Sequence, residues 1–364
     1  MAAALSLIAV GLGGLALSHS YIGAAVIQTK EAALVLLETF AMRAGITLHW
    51  TSVNTSAFED TGADIDKTTY LQTSTFAHVD YQTTATSVTV DSYNTSYDVY
   101  PKFTEIGVYV NGVYNQRIVP ASLGASSSII TLPSGGKTVS FVNGLQSRPN
   151  PTLNPIGTFV TRLSANARMT RVMHTPKNRL VVYGDSIAVG GNAAIAVAEA
   201  WPLLVRAAHT PNSLALEAWG HRSLHEDCAD STARAAFIAK LTTYNPSRIW
   251  LAIGTNDFGL NKWSAASFGV AYAALLDDLH TALPATTIFV QTPIVRFNEK
   301  ANLFGNTLSD YRVQIAAAAV ARPAYTILID GTAIMTNASL VDGVHPSTAG
   351  HALYANAVNR FLGI

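Results

Sequence analysis

Three short polar segments carry the residue types that could together hydrolyse an ester. Gly184-Asp185-Ser186 offers a hydroxyl nucleophile, the stretch 254–257 offers the Asn256 amide, and Asp342 lies three residues before the imidazole of His345. Nucleophilic catalysis by serine needs a hydroxyl, an imidazole base, a carboxylate that orients the base, and hydrogen-bond donors for the oxyanion. The sequence therefore contains a complete set of candidates for a serine hydrolase.

The elements that must position these segments follow the pattern of a parallel α/β sheet. Five near-continuous apolar runs alternate with Ala-rich helical stretches from about residue 178 to the C-terminus. Such runs predict a doubly wound five-stranded parallel sheet that is covered on both faces. Active sites of such sheets lie at the carboxyl ends of the strands, so we expect the polar segments to meet there. The predicted strands are 180–183, 214–217, 249–253, 287–291 and 325–330, and the predicted helices lie around 192–208, 230–243, 265–281, 308–321 and 347–362.

In order and position, these motifs resemble those of the GDSL-type esterases, also called SGNH hydrolases. The family pattern has a Ser in a Gly-Asp-Ser turn, a Gly after the second strand, an Asn in Gly-x-Asn-Asp after the third, and Asp-x-x-His near the C-terminus. The resemblance covers about residues 178–364 and implies a flavodoxin-like hydrolase fold without a cofactor. It implies that Ser186 is the nucleophile, that His345 is the general base, and that Asp342 orients the base.

The same resemblance assigns the oxyanion hole to the backbone N–H groups of Ser186 and Gly220 and to the side chain of Asn256. Simpler interpretations stay open at this point. Ser186 could cap the helix that follows the first strand, and Asn256 could form an Asx turn at a strand end. Asp185 and Asp257 lie beside these residues, and we interpret both as turn and helix-start residues.

Two histidines, His221 and His225, are four residues apart, which is the spacing of two zinc ligands on a helix. No Glu follows the first of them, and the segment is predicted to be a loop after a strand. We therefore predict no metal site here, and expect His221, Arg222 and His225 to line the mouth of the pocket and bind substrate. His351 is expected on the last helix near the base, where it packs rather than reacts.

The region before the hydrolase motifs has the character of an all-β domain. Between about residues 49 and 165, Thr, Ser, Val and Tyr dominate short alternating runs, which are typical of a β-sandwich or jelly roll. Turn residues separate the runs at Asn111-Gly112, at 133–136 and at Asn143-Gly144, and the first pair predicts a hairpin. Several relatives in the resembled family carry a jelly-roll-like domain before a hydrolase that deacetylates polysaccharides. This region either holds a sugar chain or only packs against the hydrolase and shapes the cleft.

Residues 1–48 form an apolar N-terminal segment with a predicted helix over 30–43. No charged residue precedes Lys30, and the run 5–17 is nearly all apolar, as in the core of a signal peptide, but the basic residues that precede such a core are missing. A membrane anchor and an interface with another chain or domain are the alternatives. We favour the interface, which could produce a homo-oligomer. The predicted domains are 1–48, 49–165 and 166–364.

Composition excludes several classes of protein. The 364 residues are 49% apolar and 13% charged, which excludes a disordered chain. The 23 basic residues balance the 23 acidic ones, so no basic face for nucleic acid is expected. Cys228 is the only cysteine, which excludes an intramolecular disulfide and a cysteine-based metal cluster. The expected partner is a small ester or an acetylated saccharide, and an extracellular location, secreted or on a cell surface or virion, is favoured.

These observations predict a serine esterase that hydrolyses short acyl esters through an acyl-enzyme intermediate. Acetyl esters on a carbohydrate are the favoured substrates. A lysophospholipase or arylesterase of the same family is one alternative, although the sequence shows no wide apolar trough for long acyl chains. The apolar N-terminus and the low charge motivate a second alternative, a structural or attachment protein of a virion or surface that carries an esterase domain.

Overall fold

The computed structural model describes residues 78–94, 105–120, 123–146, 156–172, 179–208 and 214–363. The expectations for residues 1–48, including the helix over 30–43, lie outside the described residues. All described residues belong to one compact unit, 50–364. No helix in the described ranges is long and apolar enough to cross a membrane.

Eight antiparallel strands make up the first part of this unit. They are β1 (His78–Thr83), β2 (Ser87–Asn94), β3 (Ile106–Val110), β4 (Val113–Ile118), β5 (Gly124–Thr131), β6 (Lys137–Gln146), β7 (Ile156–Ala165) and β8 (Met169–Arg171). The main order is β4-β3-β6-β7-β2-β5, and β1 pairs with both β6 and β8. Alternation places apolar side chains such as Tyr81, Val90 and Phe141 in one fully buried core. Because β1 pairs with β8, the antiparallel pairing extends to Arg171.

The two Asn-Gly pairs predicted as turns have different outcomes. Asn111 and Gly112 join β3 to β4 with φ angles of 52° and 81°, as a two-residue hairpin turn requires, so that prediction is confirmed. The turn predicted at Asn143-Gly144 is wrong, because both residues lie inside β6. This strand pairs with β3 up to Asn143 and with β7 from Gly144 onwards. The Asn143 side chain also accepts a hydrogen bond from the backbone N–H of Val160, so the pair marks a change of partner strand.

The second part contains the predicted parallel sheet. Its strands are β9 (Leu180–Gly184), β10 (Leu214–Ala218), β11 (Arg248–Ala252), β12 (Thr287–Gln291) and β13 (Thr326–Ile329). They pair in the order β10-β9-β11-β12-β13, and buried apolar clusters cover both faces. The predicted fold class, an α/β hydrolase sheet preceded by an antiparallel β region, is confirmed.

Eight α-helices surround this sheet in the described ranges. They are α1 (Ala196–Glu199), α2 (Trp201–Ala208), α3 (Leu224–Cys228), α4 (Ser231–Thr243), α5 (Thr255–Gly259), α6 (Ala265–Ala282), α7 (Leu308–Val320) and α8 (Thr348–Leu362). The single helix predicted around 192–208 is instead a turn region followed by α1 and α2. Pro202 explains the break, because it has no N–H to donate to the preceding turn of a helix.

The strand register sets the level at which the site is built. Gly184 at the end of β9 is aligned with Ala218 of β10 on one side and with Ala252 of β11 on the other. The segments that follow these three strands therefore start side by side at one edge of the sheet. Gly184 also has a steric role, because a Cβ there would lie 2.7 Å from the Cβ of Ala188.

Candidate active site

Ser186 follows β9 and is hydrogen-bonded to the predicted base. The Nε2 atom of His345 lies 2.7 Å from Ser186 Oγ, and its Nδ1 atom lies 2.8 Å from Asp342 Oδ2. Ser186 precedes Asp342 by 156 residues in the chain, whereas Asp342 and His345 are only three residues apart. The structure thus brings the predicted nucleophile, base and orienting carboxylate into one hydrogen-bonded series.

Asp342 is held by the loop that also carries the base. Its Oδ1 atom accepts hydrogen bonds from the backbone N–H groups of Val344 and His345 at 3.0 and 2.8 Å. Partial burial raises the pKa of Asp342, but the hydrogen bonds and charge of His345 outweigh it and hold this pKa well below its usual range. An ionised carboxylate only accepts, so His345 Nδ1–H donates to it. The Nε2 lone pair is then left to accept the hydrogen of Ser186 Oγ.

The two other predicted oxyanion residues follow the strands on either side of β9. Asn256 lies in the first turn of α5, after β11, and Gly220 is buried in the turn after β10. The Asn256 side-chain amide donates to the backbone oxygen of Arg222 at 2.9 Å. This bond ties Asn256 to the segment that contains Gly220. An amide nitrogen carries two hydrogens, so the second one of Asn256 can serve another acceptor.

The buried carboxylates beside the site have structural partners, as expected. Asp185 accepts from the N–H of Ile187 in the nucleophile turn, and Asp257 accepts from the N–H groups of Leu224 and His225 at the start of α3. Burial raises the pKa of Asp185 to about 6, although its hydrogen bond opposes the shift. Burial likewise raises the pKa of Asp257 to about 7 against the effect of its two donors.

The buried Asp257 leads to a prediction about stability and pH. Its pKa is ordinary in the unfolded chain, about 4, and higher in the folded protein, where it is about 7. Between these values the folded state holds a proton that the unfolded state lacks. The free energy of unfolding should therefore fall as the pH rises through this window, by up to about 1.4 kcal/mol per pH unit. Urea unfolding of the wild type and of Asp257→Asn at several pH values measures this slope. The variant should show the smaller fall, and equal slopes would contradict the prediction.

The structure places Arg222 differently from the expectation. Its side chain is only 1% exposed, so it does not lie at the mouth of a pocket. The guanidinium bonds both oxygens of Asp227 and the backbone oxygen of Glu217, and lies 3.4 Å from the centre of the Trp219 ring. A neutralised and buried charge of this kind cannot reach a substrate; it fixes the loop after β10 instead.

The two histidines of this loop do not share a helix. His221 is exposed in a turn with a φ of 63°, whereas His225 lies on α3 and contacts the edge of Trp263 at 4.7 Å between ring centres. The expectation that the whole segment is a loop is wrong for His225, because Asp257 caps a short helix there. Within the described ranges, no three His, Cys, Asp or Glu side chains form a group suited to a metal ion. Substrate binding by His221 and His225 stays a prediction.

Gly191 is a residue of the site that the sequence reasoning missed. Its N–H donates to the backbone oxygen of Ser186 at 2.8 Å. A Cβ at this position would lie 2.5 Å from Cδ2 of His345 and 2.9 Å from the same serine oxygen. Only a glycine therefore allows the imidazole to approach the serine turn this closely. The signal in the sequence is the second glycine of Gly190-Gly191, five residues after Ser186.

Arg296 is a second residue that the sequence did not reveal. Its guanidinium donates to the backbone oxygen of Thr255 at 3.0 Å and lies over the ring of Phe258, so it holds α5, the helix of Asn256. Burial lowers the pKa of Arg296, and the charges of Asp185, Glu299 and Asp342 oppose this. Arg296 thus places a positive charge near Asp185 and Asp342, two carboxylates of the site.

Comparisons with known proteins concern the hydrolase region and the fold. Residues 182–353 match the model of the GDSL-like lipase/acylhydrolase family. No curated protein sequence matches the chain. Among solved structures, the chain is similar to a salicylyl-acyltransferase from a tetracycline biosynthetic pathway, with 19% identity and a TM-score of 0.62 over 79% of this chain and 82% of that one.

Two carbohydrate esterases are also similar in structure. One is a family two carbohydrate esterase from Clostridium thermocellum in complex with cellohexaose, with 16% identity and a TM-score of 0.58 over 80% of this chain and 94% of that one. The other is an acetyl xylan esterase from the rumen bacterium Butyrivibrio proteoclasticus, with 13% identity and a TM-score of 0.57 over 80% and 95%. At these identities the likeness concerns the fold, and its extent includes the β region before the hydrolase.

A flavodoxin-like sheet with hydrogen-bonded Ser, His and Asp side chains at its carboxyl edge is the arrangement of an α/β ester hydrolase. Residues 182–353 are a GDSL-like lipase/acylhydrolase domain, as the motifs predict. The protein is therefore an acyl ester hydrolase.

Proposed function

We propose that this protein is a serine esterase that removes short acyl groups, in particular acetyl groups, from a carbohydrate. The observation that carries the proposal is the hydrogen-bonded series of Ser186, His345 and Asp342, with distances of 2.7 and 2.8 Å. These distances lie within the range in which a base can take the proton of a nucleophile.

The proposed reaction has two halves. Ser186 Oγ attacks the ester carbonyl while His345 Nε2 takes its proton, and the charged imidazole is stabilised by Asp342. The oxyanion accepts hydrogen bonds from the backbone N–H groups of Ser186 and Gly220 and from Asn256. His345 then protonates the leaving alcohol, which leaves an acyl group on the serine. Water, activated by the same imidazole, releases the acid and restores the enzyme.

The proposed preference for short acyl groups rests on the sequence, which shows no wide apolar trough for a long acyl chain, and is supported by the acetyl xylan esterase among the similar structures. The proposed saccharide acceptor is supported by the similar carbohydrate esterases, one of which was solved with cellohexaose and one of which acts on acetyl xylan.

An arylesterase is the second candidate, and one observation favours it. The ring of Phe297 is 61% exposed and packs on Gly343, the residue next to Asp342. An exposed apolar ring beside the site suits an aromatic leaving group as well as the face of a sugar.

A substrate panel separates these candidates. The panel contains acetylated xylo-oligosaccharides, phenyl acetate, and the nitrophenyl esters of acetate, butyrate and octanoate. We expect release of acetate from the oligosaccharides, and kcat/KM to fall at least about tenfold from acetate to octanoate. Turnover of the aryl esters alone would favour an arylesterase, and a preference for octanoate would contradict the short-acyl proposal.

We also propose a division into a β domain and a hydrolase domain, with the first serving to support the second. Because β8 pairs with β1, the β domain extends to Arg171 rather than ending at residue 165. The hydroxyl of Tyr109 in β3 donates to the backbone oxygen of Val197 in α1 at 2.8 Å, and the bond is buried. Gly107 lies against the same residue, since a Cβ there would be 3.0 Å from that oxygen. These contacts favour packing over sugar binding as the role of β3.

Removal of the Tyr109 hydroxyl tests this role. Tyr109→Phe should lower the free energy of unfolding by about 1 to 3 kcal/mol, because the buried oxygen of Val197 loses its donor. The KM for acetylated oligosaccharides should not change. Urea denaturation and steady-state kinetics measure the two effects, with Tyr114→Phe on the neighbouring strand as the control. Unchanged stability together with a raised KM would support a sugar-binding role instead.

The homo-oligomer, the extracellular location and the attachment role all depend on residues 1–48, which the structure does not describe. They stay predictions. Removal of these residues and measurement of the mass in solution would test the oligomer.

A further inference from the structure

We propose that His351 is a positioning residue, which acts through Gly191 to set the distance between Ser186 and His345. The inference rests on the proposed function, because it assumes that Ser186 and His345 are the nucleophile and the base. Nothing in the reaction itself requires a second histidine. The argument is one of contacts, and it begins with the imidazole of His351.

The His351 side chain is fully buried on α8. Its Nε2 atom lies 3.1 Å from the backbone oxygen of Gly191, 160 residues earlier in the chain. A carbonyl oxygen only accepts, so His351 Nε2 carries a hydrogen and donates it. The bond therefore joins the last helix to the turn that follows the nucleophile.

Gly191 transmits this bond to both reacting side chains. Its N–H donates to the backbone oxygen of Ser186 at 2.8 Å, which closes the serine turn. Its Cα faces the His345 ring so closely that an added Cβ would be 2.5 Å from Cδ2 and 3.1 Å from Cγ. A shift of Gly191 therefore moves the serine turn and removes the surface against which the imidazole packs.

The base is attached to the same helix as His351. Ser347 caps α8 by accepting from the N–H of Gly350, and His345 lies only two residues before this cap. The N–H of His351 donates to the backbone oxygen of Ser347, which joins the cap to the first turn of the helix. The base thus lies just before α8, and the donor that holds the nucleophile turn lies in the first turn of the same helix.

A second connection exists nearby but does not reach the serine. Thr348 Oγ1 accepts from the N–H of Ala194 and donates to Glu199, which ties the start of α8 to the segment around α1. The first of these bonds is exposed and the second is partly buried, and neither involves the serine turn. The buried bond of His351 to Gly191 is the one directly linked to the backbone of Ser186.

This arrangement predicts an effect on turnover rather than on substrate binding. Misplacement of a reacting group by about 1 Å can cost about 100-fold in rate. In His351→Leu the donor is lost and the Gly191 oxygen is left unsatisfied, so we expect kcat for nitrophenyl acetate to fall about 10- to 100-fold at nearly constant KM. In His351→Gln a side-chain N–H can replace the imidazole donor, and this variant should regain most of the lost kcat.

Tyr354→Phe is the matched control. Tyr354 is buried on the same helix and donates from its hydroxyl to Gln291 Oε1 at 2.6 Å, so the variant also loses one buried hydrogen bond. It has no hydrogen bond to Gly191. We expect it to unfold at a lower temperature than the wild type while its kcat, measured well below that temperature, stays unchanged.

The rate at which a fluorophosphonate labels Ser186 gives a readout that does not depend on substrate binding. It should fall in parallel with kcat in His351→Leu and recover in His351→Gln. Should the leucine variant fail to fold, His351→Asn, whose amide is too short to reach Gly191, takes its place in the comparison with His351→Gln. Equal kcat and labelling rates in the variant without the donor and in the wild type, with only a lower melting temperature, would overturn the inference. Esterase activity in a folded Ser186→Ala variant would instead overturn the proposed function.

Discussion

Replacement of Ser186 by alanine is expected to leave a folded protein with almost no esterase turnover. The side chain donates its hydrogen to His345 and is the nucleophile of the proposed reaction, and its loss should lower kcat by at least about a thousandfold. The fold should survive, because the substitution removes one oxygen at a site that is 8% exposed. Steady-state kinetics on nitrophenyl acetate measure the loss, and circular dichroism checks the fold.

The imidazole provides the matching test of the same unit. His345→Ala should be about as severe as Ser186→Ala, and the double variant should be no worse than either, because the two groups act together and their losses do not add. A folded Ser186→Ala protein that kept more than about a hundredth of the wild-type turnover would place the nucleophile elsewhere.

Gly191→Ala should have the second largest effect, although it only adds a methyl group. The new Cβ would lie 2.5 Å from Cδ2 of His345 and 2.9 Å from the serine oxygen, closer than non-bonded atoms can approach. The imidazole must then move away from Ser186, and we expect kcat to fall about 100-fold or more while KM changes little. Kinetics and fluorophosphonate labelling of Ser186 should show the same loss.

Gly136→Ala is the control for this substitution. No atom lies within 4 Å of a Cβ at that position, which is in the exposed turn before β6. This variant should retain wild-type kcat. If Gly191→Ala were equally active, the imidazole would not depend on the close approach of Gly191.

The sheet and its site edge could be predicted from the sequence because their determinants are local. The strand β9, for example, was expected at 180–183 and spans Leu180–Gly184, since a short apolar run that ends at a turn residue is typical of a buried strand. Parallel strands connected by helices end at one edge, so the polar residues after three strand ends had to converge there. The same reasoning placed Ser186 and Asn256 at this edge before any interatomic distance was known.

Other features depend on contacts between distant residues, which no local pattern reveals. The charge of Arg222 suits a substrate ligand, but Asp227 and the ring of Trp219 enclose its guanidinium. Asn143-Gly144 is a residue pair typical of turns, but it lies inside β6, at the point where the partner strand changes from β3 to β7. Gly191 becomes important only because the His345 ring, 154 residues later, packs on it.

The central claim is that Ser186 is the nucleophile and that His345 activates it. The most direct measurement is labelling with a fluorophosphonate, followed by mass spectrometry of the peptides, in the wild type, Ser186→Ala and His345→Ala. The account predicts a single phosphonyl group on Ser186 in the wild type, no label in Ser186→Ala, and strongly reduced labelling in His345→Ala. Label on a different residue, or undiminished labelling of Ser186→Ala, would contradict it.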